Sequence, residues 1–161
     1  MQLFLFLFAL ALGAVSSSDP DQKRIQSRGC PLFWYNFNGR CYKYISTPTT
    51  WADAELYCLS LSANLVSIHS LEEQNFVKSL IRNYDHTEEW TWIGLTDIHK
   101  EGKWMWSDGC QAKYFFWRTG EPNNAHGEDC VHTNFDTEQK WNDLSCSVLI
   151  PYVCASRINC P

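Results

Sequence analysis

The chain has 161 residues, the length of one ordinary domain, and a domain near that size buries roughly two thirds of the surface its unfolded form exposes. With 45% hydrophobic, 15% aromatic and 19% charged residues, the composition excludes an intrinsically disordered chain, which lacks the apolar surface to offset ordering. The net charge is −5 and the thirteen basic residues are scattered. That excludes the basic face that phosphate neutralisation by a nucleic-acid binder requires.

Residues 1–18 carry no charge, and 3–15 is an unbroken apolar or glycine run. The run is shorter than the roughly 20 residues a membrane span needs. With small residues at Ala14, Ser16 and Ser18 it reads as a signal peptide cleaved between 16 and 18, although the usual basic start is missing. The protein is expected to be secreted and extracellular, with no membrane insertion. Residues 19–29 form a short polar tail without heptads or G-x-y repeats, so no oligomerisation neck precedes the domain at 30–161.

Eight cysteines lie downstream of the signal: Cys30, Cys41, Cys58, Cys110, Cys130, Cys146, Cys154 and Cys160. An even count in an exported chain predicts disulfides, although eight cysteines admit on the order of a hundred pairings. Zinc is excluded by the lack of any C-x-x-C pair.

Residues 33–45 alternate aromatic and polar around Asn38-Gly39, the pair best suited to the positive φ angles of a tight hairpin turn. Cys30 and Cys41 flank its arms closely enough to pair. Thr50 is placed to cap a first helix through Trp51, Ala54, Leu56, Cys58 and Leu61. Ser70 and Glu73 form a capping box for a second, with Phe76, Val77, Leu80 and Ile81 on one face. From Trp90 onward short aromatic runs alternate with Asp-Gly and Glu-Gly turns, predicting strands at 92–95, 103–106, 131–135, 141–146 and 152–155. Between them, 108–129 has little periodicity and collects Gly, Pro, Asn and His. A connection of that length is expected to be functional.

Glu121-Pro122-Asn123 ends this loop, Glu128 follows it, and Asn142-Asp143 sits at the start of the next strand-like run. Three carboxylates and two amides form an oxygen cage suited to Ca²⁺, which takes about six to eight oxygens. Each piece alone is a common turn. Cys130 and Cys146, bracketing the returning strand, would hold Glu128 near Asn142. Trp104, Trp106 and Trp117 read as core, and His126, beside a glycine in a loop, as solvated. His126-Gly127-Glu128 matches the H-x-E of zinc deaminases but lacks their P-C-x-x-C partner.

With these residues in place, 30–154 resembles the C-type lectin-like domain family. Trp92-Ile93-Gly94-Leu95 is similar to its WIGL core strand, Trp141-Asn142-Asp143 to its WND motif, and Glu121-Pro122-Asn123 to its sugar-specificity triplet. The resemblance implies an α+β fold of two helices and antiparallel sheets stapled by disulfides, with a long Ca²⁺-binding loop and Pro122 in cis. It implies the pairs Cys58–Cys154, Cys130–Cys146 and, as in long-form members, Cys30–Cys41. Glu121, Asn123, Glu128, Asn142 and Asp143 would hold the metal. A sugar hydroxyl would lie between Glu121 and Asn123, and a second between Glu128 and Asn142. Asp97, Glu101, Asn124 and Asp129 fall where relatives carry an auxiliary Ca²⁺ site.

Cys110 and Cys160 lie outside those pairings. They could bond to each other, but the expected distance between loop and terminus favours an interchain bond, giving a disulfide-linked homodimer whose paired sites would raise avidity. The predicted function is that of a secreted Ca²⁺-dependent lectin of the Glu-Pro-Asn type, recognising surface glycans in innate defence. Mannose, fucose or N-acetylglucosamine is the first expectation and galactosides the other. An ice-binding or non-sugar-binding use of the same fold is the alternative. Catalysis is not expected, because a glycosidase needs one acid kept protonated opposite a partner carboxylate, whereas these acids are accounted for as ligands.

Overall fold

The computed structural model describes residues 29–161; the signal peptide and all of the polar tail but its last residue lie outside them. The chain opens with β1 (Tyr35–Phe37) and β2 (Arg40–Thr49). Asn38 and Gly39 at the turn between them both have positive φ, 49° and 80°, as the Asn-Gly pair predicts. α1 (Trp51–Ser60) is capped by Thr50, whose hydroxyl accepts from Asp53 N. α1 turns Ala54 and Cys58 inward, but Leu56 is 63% exposed, so the helix's apolar stripe is narrower than its composition suggests.

β3 (Ala63–Leu65) follows, a strand that no alternation in the sequence announces and that exists through its pairing with β8. In α2 (Leu71–Tyr84) Ser70 Oγ accepts from Glu73 N at 3.1 Å. The box closes differently from its usual form: Glu73 Oε2 takes the N–H of His69, and its Oε1 takes Arg40 Nη1 and the Tyr42 hydroxyl.

The remaining strands are β4 (Thr91–Thr96), β5 (Met105–Trp106), β6 (Cys130–Phe135), β7 (Lys140–Leu144) and β8 (Ile150–Ser156). One eight-stranded sheet runs β1-β2-β8-β4-β6-β7, with β3 on β8 and β5 on β4. The pairings are antiparallel except β4 with β8, which meet in parallel at Trp92 and Tyr152. Expected antiparallel throughout, the sheet is thus mixed, because the two halves of the chain return to its centre in the same direction. Gly94 answers to a close approach: a Cβ there would lie 2.7 Å from the Leu65 carbonyl oxygen and 2.8 Å from Ser107 Oγ.

Trp106 and Trp141 are fully buried, and Trp104 and Trp117 pack half-buried against the same cluster with rings 4.9 Å apart. Four disulfides close the molecule: Cys30–Cys41, Cys58–Cys154, Cys130–Cys146 and Cys110–Cys160. The last corrects the expectation of an interchain bond. A bridge between Met105 and Gln111 folds the loop's beginning back on the sheet. Beyond β8 the tail crosses to meet it, with Ile158 packed on the cluster that contains Cys110 and the Pro161 carbonyl accepting from Lys113 Nζ at 2.9 Å. The two Cα atoms are 5.3 Å apart, within bonding reach. No described cysteine is left free for a covalent dimer.

Candidate saccharide and metal site

β7 carries Asn142 and Asp143, both buried, beside β6, in register His132 with Asn142 and Val131 with Asp143. The disulfide from Cys130 to Cys146 ties the start of β6 to the chain just past β7. Asp143 is the post to which the loop is tied: its Oδ1 accepts Asn123 N at 3.2 Å and its Oδ2 accepts Asn124 N at 2.7 Å. Glu121-Pro122 is cis, and Asn124, His126 and Gly127 have positive φ, so the backbone doubles back here. Ala125 N is shared between Asn123 Oδ1 at 2.7 Å and Glu128 Oε2 at 3.1 Å. Glu128 N donates to Asn124 Oδ1 at 2.9 Å. The structure thus gathers Glu121, Asn123, Glu128 and Asp143 around the loop tip, with Asn142 reaching the Asp143 carbonyl through Nδ2 at 2.6 Å.

Among the described residues no basic side chain balances these acids at hydrogen-bond distance. Glu121 Oε2 is buried without a partner. Burial, with Asp143 and Glu128 nearby, raises the Glu121 carboxyl above its ordinary range; burial and Asp143 raise Glu128 in the same direction. A bare, shielded carboxylate oxygen is costly. A hard divalent ion bound by oxygen would remove both the exposed lone pairs and the mutual repulsion, so the donor set fits Ca²⁺.

The second acidic group follows the same pattern. Asp97, 1% exposed, accepts Gly102 N at 2.7 Å through Oδ2, while its Oδ1 is buried and unpartnered. Burial chiefly, and Asp129 in part, raises it; the Glu101 carboxyl is raised too, with Asp97 and Asp129 as neighbours. Asn124, expected in this second group, bonds within the first: its N–H donates to Asp143 Oδ2 and its Oδ1 accepts Glu128 N. His126 is exposed on the loop, as read from the sequence.

One residue beneath the site escaped the sequence reading. His132 is fully buried, with Nε2 3.2 Å from Asn142 Nδ2, and burial drives its pKa down to about 4. Only the register of β6 on β7 reveals it; a lone histidine in a strand carries no signal of its own. Elsewhere His69, Asp108 and Cys110 approach one another, but Cys110 is in a disulfide and Asp108 faces Arg40, so they do not form a metal site. A cleft of about 500 Å³ between Pro48, Glu88, Trp90, Asn134 and Leu149 contains none of the acids of the loop.

Fold and site together define a disulfide-stapled α+β domain with an oxygen-rich loop tip. The chain belongs to the family described as Lectin C-type domain, which matches residues 47–156, a family of non-enzymatic carbohydrate-binding proteins. It is 42% identical to lactose-binding lectin l-2 of Anguilla japonica, covering 80% of this chain and 79% of that protein. It is 37% identical to the galactose-specific lectin nattectin of Thalassophryne nattereri, covering 97% and 95%. Among solved structures, the herring type II antifreeze protein superimposes with a TM-score of 0.75 at 37% identity, covering 81% of this chain and all of that one.

Proposed function

We propose that the protein is a secreted, Ca²⁺-dependent lectin that recognises microbial or host surface glycans through the tip of its long loop, a role in innate defence. The observation that carries this reading is the unpartnered Glu121 Oε2 beside Asp143, with the Glu121 and Glu128 carboxyls raised by burial and by Asp143. Glu121, Asn123, Glu128, Asn142 and Asp143 would hold the ion, and Asp97, Glu101, Asn124 and Asp129 a second, auxiliary one. No helix among the described residues is long and apolar enough to cross a membrane.

When bound, the ion supplies direct coordination of two vicinal sugar hydroxyls. Glu121 would accept a hydrogen bond from one hydroxyl and Glu128 from the other, with the amide N–H groups of Asn123 and Asn142 donating to the same two oxygens. A hydroxyl lacking such a partner would cost about 1 to 3 kcal/mol, which lets four side chains discriminate between sugars. The Asn142 amide donates one N–H to the Asp143 carbonyl; were that carbonyl to serve the ion, the same N–H would be available to a hydroxyl.

The Glu-Pro-Asn triplet supports a mannose-type sugar. A galactoside is the second reading, favoured by relatives named for lactose and galactose. A glycan array run in Ca²⁺ and again in chelator tests both. Binding confined to the Ca²⁺ arm is expected, and binding that persists in chelator overturns the site. Glu128→Gln should weaken metal and sugar together, and Asn142→Asp should keep part of the metal affinity while losing sugar. Agglutination equal to the parent in both variants would also overturn it. Thermal hysteresis with no glycan bound would instead place the chain with the antifreeze proteins it resembles in structure.

A further inference from the structure

His132 sits directly behind Asn142, and its surroundings leave it one role. Its ring stacks on Trp90 at 4.8 Å and 28°, with Phe135 edge-on at 5.6 Å and Trp92 at 6.4 Å. Nδ1 lies 3.0 Å from the Thr133 carbonyl oxygen. A carbonyl can only accept, so Nδ1 carries the hydrogen and Nε2 of the singly protonated ring is a bare lone pair. Asn142 Nδ2 meets it at 3.2 Å.

The two ends of an amide are chemically opposite. Were Asn142 turned over, Oδ1 would face Nε2, two acceptors opposed in a buried pocket, at the cost of an unmade hydrogen bond on each side. The Thr133 carbonyl therefore selects the tautomer of His132, and that tautomer selects the orientation of Asn142. One N–H is held inward on the ring, the second points to the Asp143 carbonyl, and Oδ1 is left for the loop side.

We propose that His132 is a positioning residue of the saccharide site, which by accepting one N–H of Asn142 aims that residue's carbonyl oxygen at the metal and reserves its second N–H for a sugar hydroxyl. The proposal rests on the reading of Asn142 as a ligand given above. A histidine that merely fills space between Trp90, Trp92 and Phe135 could be exchanged for phenylalanine without consequence at the site. A residue acting through its lone pair could not, and glutamine, which places an acceptor oxygen near the position of Nε2, would restore the effect.

The test has a metal-free and a metal-loaded part. In chelator, ¹⁵N NMR of the unaltered protein should find His132 protonated at Nδ1 alone, with the Asn142 side-chain amide protons protected from solvent exchange. A hydrogen on Nε2 overturns the proposal without any variant having to fold. In Ca²⁺, His132→Phe should weaken metal binding by roughly 10- to 100-fold, the usual consequence of losing a partner behind a ligand, and sugar binding by at least as much. His132→Gln should recover most of both. Calorimetric Ca²⁺ affinity and sugar affinity equal to the parent in the Phe variant, or an equal loss in a folded Gln variant, refutes the role. If the parent itself binds neither Ca²⁺ nor sugar while the NMR result holds, the fault lies with the ligand reading, and the proposal falls with it.

Discussion

Two clusters of carboxylates in this molecule differ in one respect. Under α2, Arg40 reaches Glu73 Oε1 at 2.9 Å, the Ser67 carbonyl at 2.7 Å and Asp108 at 3.5 Å. Tyr42 adds a hydroxyl to Glu73, and Ser67 Oγ bonds Asp108. No oxygen of those two acids is buried without a partner. At the loop tip, Glu121, Glu128 and Asp143 have no such cation, one oxygen is bare, and two of the three carboxyls are pushed upward. The first cluster carries its counter-charge within the chain. The second has no counter-charge at hydrogen-bond distance among the described residues, as the proposed Ca²⁺ site requires.

The largest effect that sharpens this contrast comes from Arg40→Met. It strands two acids whose side chains are 8% and 3% exposed. The expected loss is about 3 to 5 kcal/mol, a fall in Tm of roughly 10 °C, read by thermal and urea melts, and equal with or without Ca²⁺. A Tm near the parent's would mean that the cluster is not held by its internal cation. Removal of Ca²⁺ from the parent comes next: at roughly a hundredfold excess over Kd, binding adds about 2.7 kcal/mol, so chelator should lower Tm by several degrees. No shift on chelation would erase the distinction between the two clusters.

Smaller, and opposite in sign, is the effect of Glu121→Gln in chelator. A carboxyl whose folded pKa lies above its unfolded value binds a proton more readily when folded, so its contribution to stability grows as pH falls from neutral through the folded pKa. At pH 7 the charged Glu121 is therefore a burden on the metal-free protein. The variant should melt about 1 to 3 °C higher there, with a flatter pH dependence above the ordinary carboxylate range and a weaker Ca²⁺ affinity. A lower metal-free Tm at pH 7 would count against the reading. The smallest change is expected from reductant-free electrophoresis and thiol titration: a monomer with no free thiol, because Cys110 pairs with Cys160. A covalent dimer would overturn that pairing.

Much of the fold is legible in the sequence. The Asn38-Gly39 turn, the Thr50 and Ser70 caps and the inward face of α2 follow from rules that act within a few residues. So does the location of the acids at the end of an aperiodic loop. Failures came where a residue's partner is far along the chain. Glu73 caps α2 as its spacing predicts, yet its carboxylate is taken by Arg40 and Tyr42 from β2. β3 has three residues and no pattern, and becomes a strand because β8 lies beside it.

By itself the sequence determined the chemistry available: oxygen donors at the end of one loop and on the strand-like run after it, cysteines enough to staple a domain, and apolar stripes that set the elements. Tertiary structure alone decided the parallel junction of β4 with β8, the meeting of Cys110 with Cys160, and the placement of His132 behind Asn142. The reason is physical. Propensity, capping and turn chemistry are local energies, legible residue by residue, whereas register and chain return depend on which distant surfaces bury each other once the whole chain has closed.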